Sequence, residues 1–244
     1  MTSDHTDANV EPSDDHFLAE SVRTFPWLRA ALSAVAVLVV EYLTVALIFV
    51  VGPSSVDRSA APITSTTAVL AQYGHILYNA HHVPTLTRAT VQIGGSPLGN
   101  DLYIATSASV PPVVFFLIPV VALVAAGVLF ERSRETRRAD SLLEESALVG
   151  TGFTVGYLVS GVVGAFLFVQ NWPLVAQEEV VGAASQAPLL SLTLVTFFLF
   201  PMVFVSLGAA AAYFGGSSGD DASTPEQDPT GEAVGTTPTD DDQA

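Results

Sequence analysis

Cysteine is absent from the 244-residue chain. Its absence excludes disulfides, thiolate nucleophiles, and iron–sulfur or zinc sites held by cysteine. Lysine is absent too, so all 8 basic residues are arginine, set against 24 acids. Charged residues make up only 13% of the chain, about half the share of a soluble domain. No long basic stripe exists, so nucleic acid is not expected as a partner. The start of the chain is acidic, which is the wrong sign for the n-region of a signal peptide.

Apolar residues are what the chain has in excess: 50% of the whole. They are bunched into four long runs, and runs of 18 or more with few charges are the signature of a membrane span. The first is Trp27–Val51, and its 25 residues make a helix of about 37 Å. That exceeds the roughly 30 Å of a hydrocarbon core and leaves room for tilt. β-branched residues dominate it, yet in lipid the backbone must pair with itself, so helix is expected. The other spans are expected at 110–130, 147–169 and 189–214.

Between the spans lie an outer loop 52–108, an inner loop 131–146 and an outer loop 170–188. Residues 1–22 hold six acids and residues 215–244 hold eight, with no basic residue in either tail. Both read as disordered acidic tails held open by self-repulsion. An acidic docking peptide is the competing reading. The transmembrane domain is then 23–214. Arg23 and Arg29 flank the start of span one, and Arg132, Arg134, Arg137 and Arg138 follow span two. Short-loop arginine marks the cytoplasmic side. An even number of spans puts both clusters on one face, so a multi-pass cell-membrane protein with both termini cytoplasmic is expected. Glu131, Glu135 and Asp140 dilute the attraction of the second cluster for anionic lipid, leaving topology as its plainer role.

The fold class expected is all-α: a four-helix transmembrane bundle with a short extracellular amphipathic helix. That helix falls in Thr67–Asn79, where Val69, Leu70, Tyr73, Ile76 and Leu77 recur at i, i+3 and i+4. A strand of three or four residues is sketched around Ala89–Ile93. Phe-Phe-Leu-x-Pro recurs at Phe115 and Phe197, an offset of 82. The bundle then reads as two parallel repeated hairpins, an arrangement found in transporters. Chance recurrence of common span residues competes with that reading.

Glu41 is the sharpest single residue. It sits near the middle of span one, where a charged carboxylate costs several kcal/mol unless it faces the bundle or is protonated. An ion or proton site is one reading, and a neutral acid that glues helices is the blander one. Thr154, Tyr157 and Ser160 on span three are candidate partners. His75, His81 and His82 form a candidate extracellular site, since histidine ligates metals and titrates near neutrality. His75 and His82 lie about 10.5 Å apart along one helix, too far to share an ion. The His-Glu-x-x-His pattern is missing, and no acid stands in the segment. No metal and no cofactor is therefore expected. Gly152, Gly156, Ser160 and Gly164 place a small residue at every fourth position, a face that lets another helix approach closely. Packing within the chain is the first reading, and a homo-oligomer seam the second. Pro119 and Pro201 should kink spans two and four.

The segment Gly74–Val83, GHILYNAHHV, placed after a first span, resembles an uncharacterised family of multi-pass membrane proteins from halophilic archaea. The acid excess and missing lysine are similar to that setting. The resemblance implies no known activity, so no catalytic residue follows from it. No nucleophile triad, phosphate loop or metal signature appears either, so an enzyme is not expected. A structural or accessory membrane subunit ranks first, partnered by the lipid bilayer, by copies of itself or by another membrane protein. A small proton or cation transporter using Glu41 ranks second. A membrane sensor with the histidine-bearing loop outside ranks third.

Overall fold

The computed structural model describes residues 21–51, 65–91, 98–102, 111–134, 141–176 and 178–216. Residues 1–20 and 217–244 of the acidic tails and the Arg137–Arg138 pair lie outside them. Four helices among the described residues are long and apolar enough to cross a membrane. They are α1 (Trp27–Val51), α3 (Pro112–Arg132), α4 (Leu142–Leu167) and α5 (Leu190–Gly216). Their outward faces carry large exposed apolar side chains, Leu32, Val39, Leu43, Leu47, Val121, Val159 and Val203 among them. α4 starts five residues before the apolar run, because Ser141 caps it by accepting from the Glu144 N–H at 3.2 Å. Glu144 and Glu145 in its first turn suit the positive end of the helix dipole.

A further helix, α2 (Thr66–Ala80), begins at Ser65, whose hydroxyl accepts from the Ala68 N–H at 3.2 Å. It does not lie along a surface. Every residue from Gly74 to Ala80 is buried, and so are Ala71 and Gln72. Ile76, Leu77 and Ala80 pack with Val45 and Phe49 of α1 and Phe115 of α3. α2 is thus wedged between two spans, its C-terminus pointing into the bundle.

The chain then reverses. His81 ends the helix and His82 adopts a left-handed backbone, φ 59°. The Val83 N–H returns to the Tyr78 carbonyl at 2.9 Å. Asn79 Nδ2 reaches the carbonyls of His75 and Val83 and the hydroxyl of Thr85. These bonds satisfy the backbone polar groups that a buried reversal would otherwise leave without partners.

The expectation of an all-α fold is wrong. The segments that join α1 to α3 and α4 to α5 contribute an antiparallel sheet of order β2-β1-β4-β3. Its strands are β1 (Thr85–Val91), β2 (Leu98–Leu102), β3 (Gln170–Ala176) and β4 (Glu179–Pro188). The strand sketched at Ala89–Ile93 is the second half of a longer one. β3 and β4 fall where a short loop is expected, because β4 reads as small and polar: EVVGAASQAP. Its alternation is visible only in burial, with Gly182, Ala184, Gln186 and Pro188 facing inward. Pro173 is tolerated because β3 is an edge strand.

The sheet also tells against paired repeats. A repeat would relate β1 to β3 and β2 to β4, so a two-fold axis would bring like strands together at the centre. The centre instead pairs β1 with β4, Thr85 opposite Pro188 through Val91 opposite Gly182.

Candidate functional site

The buried core of α1, α2 and α4 holds one connected polar cluster: Glu41, Tyr157 and His81. Each is 0% exposed. Glu41 stands ten residues before the end of α1 and Tyr157 ten before the end of α4. Both therefore lie about 15 Å below the helix ends. α2 has to descend to that depth to deliver His81, which makes it re-entrant.

The Tyr157 hydroxyl is 2.5 Å from Glu41 Oε2 and 2.6 Å from His81 Nε2. His81 Nε2 is itself 3.5 Å from the carboxylate. On the other side of the ring, Nδ1 lies 2.8 Å from the Leu77 carbonyl. A carbonyl only accepts, so Nδ1 carries a hydrogen. Phe197 stacks on the imidazole with centroids 4.6 Å apart, and Phe200 lies 5.4 Å away.

Two hydrogen bonds in series require two hydrogens. In one arrangement the imidazolium donates to the tyrosine and the tyrosine donates to the carboxylate. In the other the carboxylic acid donates to the tyrosine and the tyrosine donates to a neutral imidazole. Both arrangements are neutral overall, which is what an apolar bundle tolerates. Glu41 Oε1 has no hydrogen-bond partner among the described residues.

Of the three expected partners of Glu41, only Tyr157 reaches it. Thr154 and Ser160 donate back to their own helix, to the carbonyls of Gly150 and Gly156. The three histidines do not converge. His75 Nε2–H donates to the Phe168 carbonyl at 2.8 Å, near the end of α4. Burial lowers its pKa from 6.5 to about 4, so its ring is neutral at physiological pH. His82 is exposed and stacks on Phe116 with centroids 4.8 Å apart. Among the described residues no three His, Asp or Glu side chains are grouped as a metal site.

The small-residue face of α4 is divided between two neighbours. A Cβ at Gly156 would stand 2.1 Å from the Ala31 carbonyl oxygen, and one at Gly152 would meet Phe25 and Ala30 of the α1 end. A Cβ at Gly164 would meet the Tyr78 hydroxyl of α2. That hydroxyl donates to the Gly161 carbonyl. Ser160 lines a shallow apolar groove instead. Pro119 and Pro201 are both buried, and α3 and α5, which carry them, pack closely. The close approach there comes from glycine: Gly127 lies on the Val205 carbonyl and Gly208 on the Val124 carbonyl.

A second polar group lies at the opposite end of the bundle. Arg134 pairs with Glu145 and lies 3.5 Å from Glu131, and its guanidinium covers the Phe25 ring. Arg29 donates to Ser133 at 3.0 Å. Two arginines expected at the cytoplasmic end are therefore spent on binding helix ends together.

No curated protein and no solved structure matches the chain. A family model does match, over residues 18–216. It covers the whole bundle, the re-entrant helix and the sheet, and with that match the chain belongs to the family of unknown function DUF7978.

Proposed function

We propose that this is a multi-pass cell-membrane protein with a structural or accessory role, in which Glu41, Tyr157 and His81 lock a re-entrant helix into the bundle. The complete burial of all three side chains carries the reading. A proton or cation pathway needs groups that meet water on each side of the membrane. Here the carboxylate is answered by a tyrosine and a histidine, and the histidine is covered by Phe197 and Phe200.

Orientation follows from the arginines. Arg29 and Arg134 gather at one end of the bundle, which supports that end, with both tails, being cytoplasmic. The sheet and the outer end of α2 then face outward. The lysine-free, acid-rich composition supports a salt-rich host.

Purified protein in liposomes tests the choice between scaffold and pathway. Proton and potassium flux should equal that of empty liposomes for the wild type and for Glu41→Gln alike. A wild-type flux that Glu41→Gln abolishes would establish transport and overturn the structural reading.

A further inference from the structure

We propose that a cleft between the sheet and the ends of α4 and α5 binds the phosphate of an anionic membrane lipid, with Arg88 as its ligand. The inference rests on the membrane placement of α4 and α5. The cleft holds about 280 Å³. On one side the strands present Arg88 and Ser185, which face each other across β1 and β4. Ser191, in the first turn of α5, adds a second hydroxyl. On the other side the walls are apolar, Phe166 and Leu190 foremost, at the ends of two spans.

Arg88 is exposed and makes no ion pair or hydrogen bond within the described residues. The other arginines with described partners, Arg29 and Arg134, stand at the opposite end of the bundle. Arg88 is thus a cation left without a counter-ion in a chain of net charge −16. An Arg guanidinium matches a phosphodiester in charge and in its planar fork. Two serine hydroxyls complete a donor set suited to phosphate oxygens. Phe166 is 65% exposed, so the surface just beyond the donors is one that a hydrocarbon chain can cover. Charged and apolar groups meet here at the height where a span leaves the bilayer, which is where a lipid carries its phosphate. A free anion would use the arginine and serines and leave the apolar wall uncovered.

The test compares full-length protein in phosphatidylcholine nanodiscs with and without phosphatidylglycerol. Thermal stability and native mass spectrometry are read for the wild type, Arg88→Gln, Arg88→Lys and Arg132→Gln. Phosphatidylglycerol should raise the melting temperature and remain bound as a discrete adduct. Arg88→Gln should weaken the adduct about fivefold, the effect of one arginine at an anionic surface. It should leave stability in pure phosphatidylcholine unchanged. Arg88→Lys should keep part of the effect, and Arg132→Gln all of it. An equal adduct in Arg88→Gln, or an adduct lost in Arg132→Gln instead, would overturn the assignment. So would inorganic phosphate alone giving the same stabilisation in phosphatidylcholine, which would identify a free anion. Protein that fails to enter nanodiscs at all would instead refute the membrane placement.

Discussion

Tyr157 stands between an acid and a base that approach each other no closer than 3.5 Å. Its hydroxyl bonds to both, so removing it takes a partner from two buried polar side chains at once. Tyr157→Phe should destabilise the protein by about 2 kcal/mol, the range for hydrogen bonds to charged groups. Tyr42→Phe loses a bond to the Leu70 carbonyl at 3.0 Å, and should cost about half as much, since both partners are neutral. Reversible unfolding in mixed micelles measures both. A double-mutant cycle with Glu41→Gln should show coupling of about 1 kcal/mol. Additive effects would mean that the cluster does not act as a unit.

His75 answers differently to acid. Its folded-state pKa is lowered to about 4 by burial, against about 6.5 in an unfolded chain. Between these values the unfolded state binds more protons, so stability falls as pH drops. The contribution is fully present above about pH 6.5 and is lost progressively toward pH 4. His75→Gln should flatten the melting temperature over that window relative to the wild type. An unchanged slope would show that His75 is not the group responsible. Glu41 announces itself in the sequence because a carboxyl group inside an apolar run has few explanations. His81 stands out only as one of three histidines of an extracellular site, and its pairing with Glu41 is not legible until the depth of α2 is known.

The helices owe their closeness to particular glycines. At Gly156 the backbone of α1 comes so near that no side chain fits, the Ala31 carbonyl standing 2.1 Å from where a Cβ would be. Backbone cannot move aside as a flexible side chain can, so Gly156→Leu should force α1 and α4 apart. A loss of about 1–3 kcal/mol is expected, as for overpacking elsewhere. Ser160→Ala, one turn on, removes only a bond within the same helix, and should stay within about 0.5 kcal/mol. Unfolding in mixed micelles again separates the two, and similar losses would show the stripe to be uniform. The spacing of small residues was legible in the sequence. Which helix fills each step was not, since α1 takes one end of the stripe and α2 the other. The sheet was illegible for a related reason: β4 has few of the β-branched or aromatic residues that signal a strand, and is held by pairing on both edges.

For the whole molecule, the arrangement of spans is open to direct chemical test, because the natural chain has no cysteine to mask. Single substitutions Ser13→Cys, Ser96→Cys and Ser217→Cys report on the two tails and the first outer connection. A membrane-impermeant maleimide should label Ser96→Cys from outside intact cells. It should label Ser13→Cys and Ser217→Cys only in inverted vesicles. Labelling of the two tails from opposite sides would rule out an even number of crossings.

The sequence by itself determined the four long apolar helices, their approximate limits and the asymmetry of their arginines. These follow from local quantities: run length, hydropathy and charge along the chain. Only the tertiary structure decided that α2 enters the bundle, that the segments joining α1 to α3 and α4 to α5 pair into one sheet, and that His81 and Tyr157 meet Glu41. Each of these depends on contacts between residues far apart in the chain, 116 apart for Glu41 and Tyr157. No local pattern encodes such a contact. It arises because a buried carboxyl group and a buried helix end must each find polar partners where there is no water.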